Sequence, residues 1–425
     1  MMMTDFDAIR AQFPILNQTV HGHPLVYLDS GATAQKPECV IEAEANFYRR
    51  DNAAVHRGAH ELAARSTVAF EQARASMARL VGACSDEGGE EIVVTAGATA
   101  GLNLLATAFG YASMGRGGSA AARFALHPGD DIVVSKAEHH SVLLPFQELA
   151  ARTGATLRWL DLDDEGRIRT DTVDEVITER TRVVAVTHVS NVTGAITDVE
   201  AIIRRAHAVG ALVVLDMCQS VPHLPIDVHA MDVDFAVWSA HKMYGPTGVG
   251  FLYGRRELLE ALPPANYGGS MVELAWMDRP AQYMAPPARF EAGTQPVAQV
   301  VAAGVAADWM MAIGMNAIAE HEQRITEALL KLGDVEGVRI LGPRSADRRI
   351  GTVSFDVAGV HPHDVGQYID GQGIAIRVGH HCAQPVHRHF GLYASNRAST
   401  GVYNSVDDAK ALVEAVSGVR AFFRV

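Results

Sequence analysis

The chain has 425 residues, more than one compact core holds and enough for two domains. Hydrophobic content of 48% and charged content of 20% belong to an ordinary globular protein, and a net charge of −13 argues against a nucleic-acid surface. No stretch reads as a membrane span: the most apolar, Val300 to Gly314, is short and is broken by Asp308.

Asp5 and Asp7 precede any apolar run, which argues against a signal peptide. Phe6, Ile9, Arg10 and Phe13 pattern a first helix that stops before Pro14. Leu25 to Leu28 reads as a short strand delivering Asp29, Ser30 and Gly31 into a turn, and Cys39 to Arg50 and Glu61 to Val81 have helical period. Cys39 is expected in helix packing and Cys84 as a thiol just past a helix end. From residue 92 strands alternate with helices. The strands are Ile92 to Val94, Asp131 to Ser135, Ala155 to Leu160, Arg182 to Thr187, Ala211 to Leu215 and Val233 to Trp238. Ala98 to Phe109, Ser141 to Arg152, Asp171 to Glu179 and Val199 to Val209 are the helices between them, the signature of a largely parallel sheet. Tyr111 to Leu126 breaks the rhythm and is expected to be a surface insertion.

Beyond Gly268 the pattern is less regular through Pro287. Helices at Val297 to Ile313 and Ile318 to Leu332, strands at Gly351 to Phe355 and Ile374 to Val378, and a last helix at Val406 to Val416 follow. The expected fold class is α/β, with a large mostly parallel-sheet domain over 18–296 and a smaller α+β domain from 1–17 and 297–425. Four cysteines without a CxxC pair point to a reducing compartment, and the expected location is cytoplasmic.

The stretch VDFAVWSAHKMYGPTGVG (233–250) organises the chemistry. A buried apolar run ends in Ser239, His241 and Lys242, then Gly245, Pro246 and Gly248 force a turn. That puts Lys242 at the carboxyl edge of the sheet, where α/β proteins place ligands, and a lysine nucleophile suits a carbonyl cofactor such as pyridoxal phosphate. Gly97-Ala98-Thr99 lies before a helix that begins near Thr99 and can hold an anion, or Thr99 or Thr95 can simply cap the helix. Asp216 follows a buried strand 26 residues before Lys242, where a carboxylate would keep a pyridine nitrogen protonated. Gln219 can reach a ring oxygen, Cys218 reads as structural, and His139 of Glu138-His139-His140 can stack on a cofactor or relay protons.

In Arg377-Val378-Gly379-His380-His381-Cys382, the imidazoles, the glycine and Arg377 give Cys382 the one reactive setting among the four cysteines. His380, His381, Cys382, His387 and His389 cluster, but without standard ligand spacing, so no metal is expected. Arg397 can hold a substrate carboxylate bidentately.

YLDSGATAQKP (27–37), NAAVHRGAHELA (52–63), AEHHS (137–141), THVSNVTG (187–194), SAHKMYGPTGVG (239–250), RFEAGT (289–294) and RVGHHCAQP (377–385) together resemble the SufS-type cysteine desulfurases, fold-type I pyridoxal-phosphate enzymes of the class V aminotransferase family. The resemblance implies that Lys242 bonds the cofactor aldehyde and acts as the base, Asp216 partners the pyridine nitrogen, Gln219 the ring hydroxyl, and His139 stacks on the ring. It also implies that Ala98, Thr99, Ser239 and His241 hold the phosphate, with Thr294 reaching it from the second subunit of a homodimer. Asn191, Arg397, Arg377 and His56 would bind the substrate L-cysteine, and Cys382 would take its sulfur as a persulfide, leaving alanine and supplying iron–sulfur cluster assembly. Ala98 and Ala100 depart from the family, which usually has threonine and glutamate there. His361-Pro362-His363-Asp364 resembles the subgroup whose sulfur acceptor is a zinc-containing SufU-type protein, met through His363. The same scaffold also serves selenocysteine lyases and cysteine-sulfinate desulfinases, and a non-catalytic scaffold subunit is the alternative of another class.

Overall fold

The computed structural model describes residues 4–83 and 88–425, so Cys84 lies outside the described residues. Seven strands form the main sheet: β1 (Ile92–Thr95), β2 (Asp131–Ser135), β3 (Thr156–Leu160), β4 (Thr181–Thr187), β5 (Leu212–Asp216), β6 (Phe235–Ser239) and β7 (Gly250–Gly254). Their spatial order is β1-β7-β6-β5-β4-β2-β3. The pairs β2–β3, β2–β4, β4–β5 and β5–β6 are parallel, and β7 runs antiparallel to β1 and β6. Alternate residues of each strand face opposite layers, as a pleat requires. Phe235 and Val237 join the core under α3 (Ala98–Ser113) and α4 (His140–Thr153), while Ala236 and Trp238 join the core under α2 (Glu61–Val81) and α5 (Val199–Ala208).

β7 was not foreseen; the turn expected at Gly245, Pro246 and Gly248 is present and leads directly into it. Gly250 serves close approach. A Cβ on Gly250 would lie 2.5 Å from the Gly97 Cα and 2.6 Å from the Trp238 carbonyl oxygen. The antiparallel strand therefore pins the ends of β1 and β6, pairing Gly250 with both Thr95 and Ser239.

A second sheet of β8 (Val338–Leu341), β9 (Thr352–Val357), β10 (Arg377–Gly379) and β11 (Ser395–Ser399), ordered β8-β9-β11-β10, is antiparallel throughout. It packs with α7 (Met315–Leu329), α8 (Pro362–Asp370) and α9 (Val406–Phe423) around Ile325, Val353, Phe355 and Leu412. α6 (Val297–Ile313), which opens the segment assigned from sequence to the small domain, lies instead in the core of α1 (Glu38–Arg50) and α2 with Phe13 and Leu16. Among the described residues no single helix is long and apolar enough to cross a membrane.

Three local expectations need correction. Tyr111 to Leu126 is only partly surface: Phe124 and Leu126 are buried, and Phe124 stacks on Phe109 at 5.5 Å, because the apolar members of the insertion had a core within reach. Asp171 to Glu179 forms only a turn at Thr170–Thr172 and a four-residue helix at Val173–Val176, after which Ile177 turns into the core. Cys39 is exposed, since α1 turns Val40 and Phe47 inward instead.

Candidate active site

The carboxyl ends of β1, β2, β4, β5 and β6 converge on one cavity of about 180 Å³. Its wall includes Ala98, Thr99, His139, Asn191, Asp216, Gln219, Ser239, His241, Lys242, Arg377 and Arg397. This is the edge where a parallel sheet leaves room for a ligand.

Lys242 ends a single 3₁₀ turn, Ala240–Lys242, launched from β6. Beside it, α3 begins at Ala98 with Gly97 at φ 136°, a conformation glycine tolerates, and Gly97 has no side chain with which to cap the first turn. The Ala98 N–H donates to Ser239 Oγ at 2.9 Å, and Thr99 Oγ1 pairs with Ser141 Oγ at 2.7 Å. A helix N-terminus ringed by hydroxyls is a phosphate seat. Asp216 closes β5, buried, with one carboxylate oxygen accepting from the Cys218 N–H at 2.9 Å. Burial, and Asp216 beside it, push the Cys218 thiol up and make it inert. His139 caps α4, its Nδ1 accepting from the Ser141 N–H at 3.1 Å. Burial first and the Lys242 charge second hold His139 down at about 4, so its ring is neutral. His241 is likewise held at about 4, by burial and then by Lys242 and Lys36.

The other wall comes from the small sheet. Arg377 and Arg397 are direct cross-strand partners, and both line the cavity. Like charges placed opposite repel, so the pair is arranged for an anion. Arg397 is buried, donating to the Asn191 carbonyl at 3.0 Å and to Asp29 Oδ1 at 3.3 Å, while its Nε has no hydrogen-bond partner among the described residues. Burial pulls its pKa down to about 10 against the opposing effect of Asp29. Asn191 lies on the wall with its Nδ2 donating to the His381 carbonyl at 2.7 Å.

Cys382 follows in the loop beyond β10, with φ 57° and His381 at φ 50°. The Arg377 guanidinium donates to Cys382 Sγ at 3.7 Å, and the His140 N–H donates to the Cys382 carbonyl at 2.7 Å. The neighbouring imidazoles turn inward: His381 and His387 both bond Ser395 Oγ, and His389 bonds the Asp163 carbonyl.

A family model described as aminotransferase class-V matches residues 26–412. The chain belongs to the class V aminotransferase family. Among similar proteins, the probable cysteine desulfurase 2 of Mycobacterium leprae (strain TN) is 49% identical over 99% of this chain and 97% of its own length. The cysteine desulfurase of Dickeya dadantii (strain 3937) is 44% identical over 96% of this chain and 95% of its own. The crystal structure of the cysteine desulfurase CsdA (S-sulfonic acid) from Escherichia coli matches with a TM-score of 0.87 at 38% identity, covering 99% of this chain and 100% of that one.

The residues of this class V protein fit pyridoxal phosphate. Thr99 in the first turn of α3, Ser239 at the end of β6 and His241 in the turn after it would hold the phosphate, Asp216 the ring nitrogen, and His139 the ring face. Gln219 donates to the Gly31 carbonyl at 2.9 Å, while its buried Oε1 has no partner among the described residues, leaving it for a ring hydroxyl. Two expected residues stand away from the cavity of this chain. His56, at φ 69°, bonds Glu71 at 2.7 Å, and Thr294 lines a separate cavity with Ala96, Ala100 and Asn266.

Two further residues escaped the sequence reading. Glu138 is fully buried, accepting from Ser135 Oγ and from the Thr187 N–H at 3.1 Å. Burial pushes its carboxyl up to about 8, so at neutral pH it holds its proton behind His139 and Asp216. Its place next to His139 was the available signal. The other is Lys36, in the stretch YLDSGATAQKP (27–37).

Proposed function

We propose that the protein is a SufS-type, pyridoxal-phosphate-dependent cysteine desulfurase that converts L-cysteine to L-alanine, holds the sulfur as a persulfide on Cys382 and supplies iron–sulfur cluster assembly. One observation carries this reading: Arg377 lines the Lys242 cavity and also donates to Cys382 Sγ, so a single guanidinium joins amine pocket and thiol.

When bound, the cofactor supplies an electron sink for charge at the substrate α-carbon. Arg397 and Arg377 draw the substrate carboxylate to the small-sheet wall. Lys242 moves the α-proton, and neutral His139 presents an uncharged face beside it. Cys382 Sγ forms an S–S bond with the substrate sulfur as the C–S bond breaks. The electron pair of that bond stays with carbon, which takes up the proton the thiol gave up, and alanine leaves. Cys382→Ser is expected to keep cofactor absorbance and lose alanine release from cysteine by at least about a hundredfold. Unchanged release would overturn the role, and activity of that variant on selenocysteine would identify a selenocysteine lyase instead.

A homodimer accounts for Thr294 and His56 standing away from their own chain's cavity. The exposed Leu274, Trp276 and Met277, close in sequence to Thr294, support a second copy there. The cytoplasm is the compartment this reading gives the protein. His363 is exposed at the start of α8, where it can meet a zinc-containing acceptor. His363→Ala is expected to leave basal turnover intact and to remove stimulation by such an acceptor.

A further inference from the structure

No residue from 33 to 37 lines the Lys242 cavity, yet three donors of that stretch converge on one oxygen. The carbonyl of His241, in the peptide bond leading into Lys242, accepts from the Ala34 N–H at 2.9 Å, Thr33 Oγ1 at 3.2 Å and Lys36 Nζ at 3.3 Å. The same ammonium donates to the Ala34 carbonyl and lies 3.4 Å from Thr33 Oγ1. Its partners are neutral oxygens, and no ion pair joins it to a carboxylate among the described residues. A half-buried ammonium spent on neutral dipoles costs stability that a methionine there would not.

The loop carrying it is held firmly. The Tyr27 hydroxyl donates to the Thr33 carbonyl at 2.8 Å, the Gln35 N–H to the Tyr403 hydroxyl at 3.2 Å, and Gln219 to the Gly31 carbonyl at 2.9 Å. A template anchored at these points can orient what it grips. The gripped atom precedes Lys242, the one lysine among the described residues that lines the cavity.

We propose that Lys36, assisted by Thr33, is a positioning residue that fixes the peptide plane ahead of Lys242 and thereby aims its amine at the cofactor aldehyde. The role rests on the reading of Lys242 as the lysine that bonds the cofactor, and it works through backbone, so Lys36 touches neither substrate nor cofactor.

The test is a double-mutant cycle on the full-length protein stripped of cofactor and returned to pyridoxal phosphate, with borohydride fixing any covalent product for mass spectrometry at residue 242. Lys36→Met is expected to slow covalent capture at Lys242 about tenfold, and Lys36→Arg to restore part of it. In a Lys242→Ala background, Lys36→Met should leave non-covalent cofactor affinity within about twofold, because the group it aims is gone. A loss of non-covalent affinity well beyond twofold in the Lys242→Ala background, or an unchanged capture rate in the Lys242 background, would overturn the proposal by making Lys36 merely structural or idle. Wild-type protein that captures no cofactor at residue 242 would instead sink the reading of Lys242 itself. If Lys36→Met fails to fold, Thr33→Val, which deletes the second side-chain donor, runs through the same cycle with a loss of about threefold expected.

Discussion

Lys242 leaves a buried strand through a turn whose carbonyl takes three donors, whereas Cys382 leaves a short edge strand through two consecutive left-handed residues gripped by the His140 N–H and by Arg377. The first arrangement holds the peptide ahead of the amine by three hydrogen bonds. The second stores backbone strain of about 1 kcal/mol or more per left-handed residue. The contrast suits the proposed chemistry, in which the amine stays at one point while the sulfur is collected and carried off. On that reading one wall is a fixture and the other holds a carrier.

The sharpest way to break the comparison is Lys242→Ala. It should abolish covalent cofactor capture and lower alanine release by about a thousandfold or more, yet leave Cys382 alkylation by iodoacetamide at the wild-type rate. A slowed alkylation would mean that the two walls are not independent. Arg377→Gln should strike both sides, raising KM for cysteine about tenfold and altering thiol alkylation, while Arg397→Lys should raise KM similarly and spare the thiol. Gly250→Ala probes the fixture alone. Its methyl meets Gly97 and the Trp238 carbonyl, so denaturant titration should read a loss of about 1–3 kcal/mol with no change at the thiol.

The smallest effect concerns Glu138. Its carboxyl stands at about 8 in the fold against an ordinary value of 4.5, so the folded chain keeps a proton that the unfolded chain releases. Its contribution to stability is full below about pH 4.5 and is lost as pH rises through 8. Melting temperatures of wild type and Glu138→Gln should therefore draw apart as pH rises from 5 to 8, with wild type falling relative to the variant. A constant gap would show that Glu138 is ionised in the fold.

What could be read from sequence was whatever sits at the end of a buried run. Lys242, Asp216, Ser239 and His139 close or follow strands, so apolar patterning placed them on one edge, and the cavity gathers them there. Cys382 was legible from its neighbours, although Asn191 proved to brace its loop as well as line the cavity. Lys36 was illegible in function because its task depends on a carbonyl 205 positions away. Glu138 was missed since a charged letter gives no sign of being sealed from water. β7 was missed because its five residues follow directly on a turn and are bounded by glycine at both ends. His56 and Thr294 were named only through resemblance, and the structure places neither at the cavity of its own chain.

The facing guanidiniums of Arg377 and Arg397 also bear on how the protein is handled at the bench. A pair of opposed cations with a spare buried N–H attracts small oxyanions, so sulfate or phosphate buffers should compete with an amino-acid carboxylate. Rates compared between laboratories carry meaning only when the counter-ion is matched.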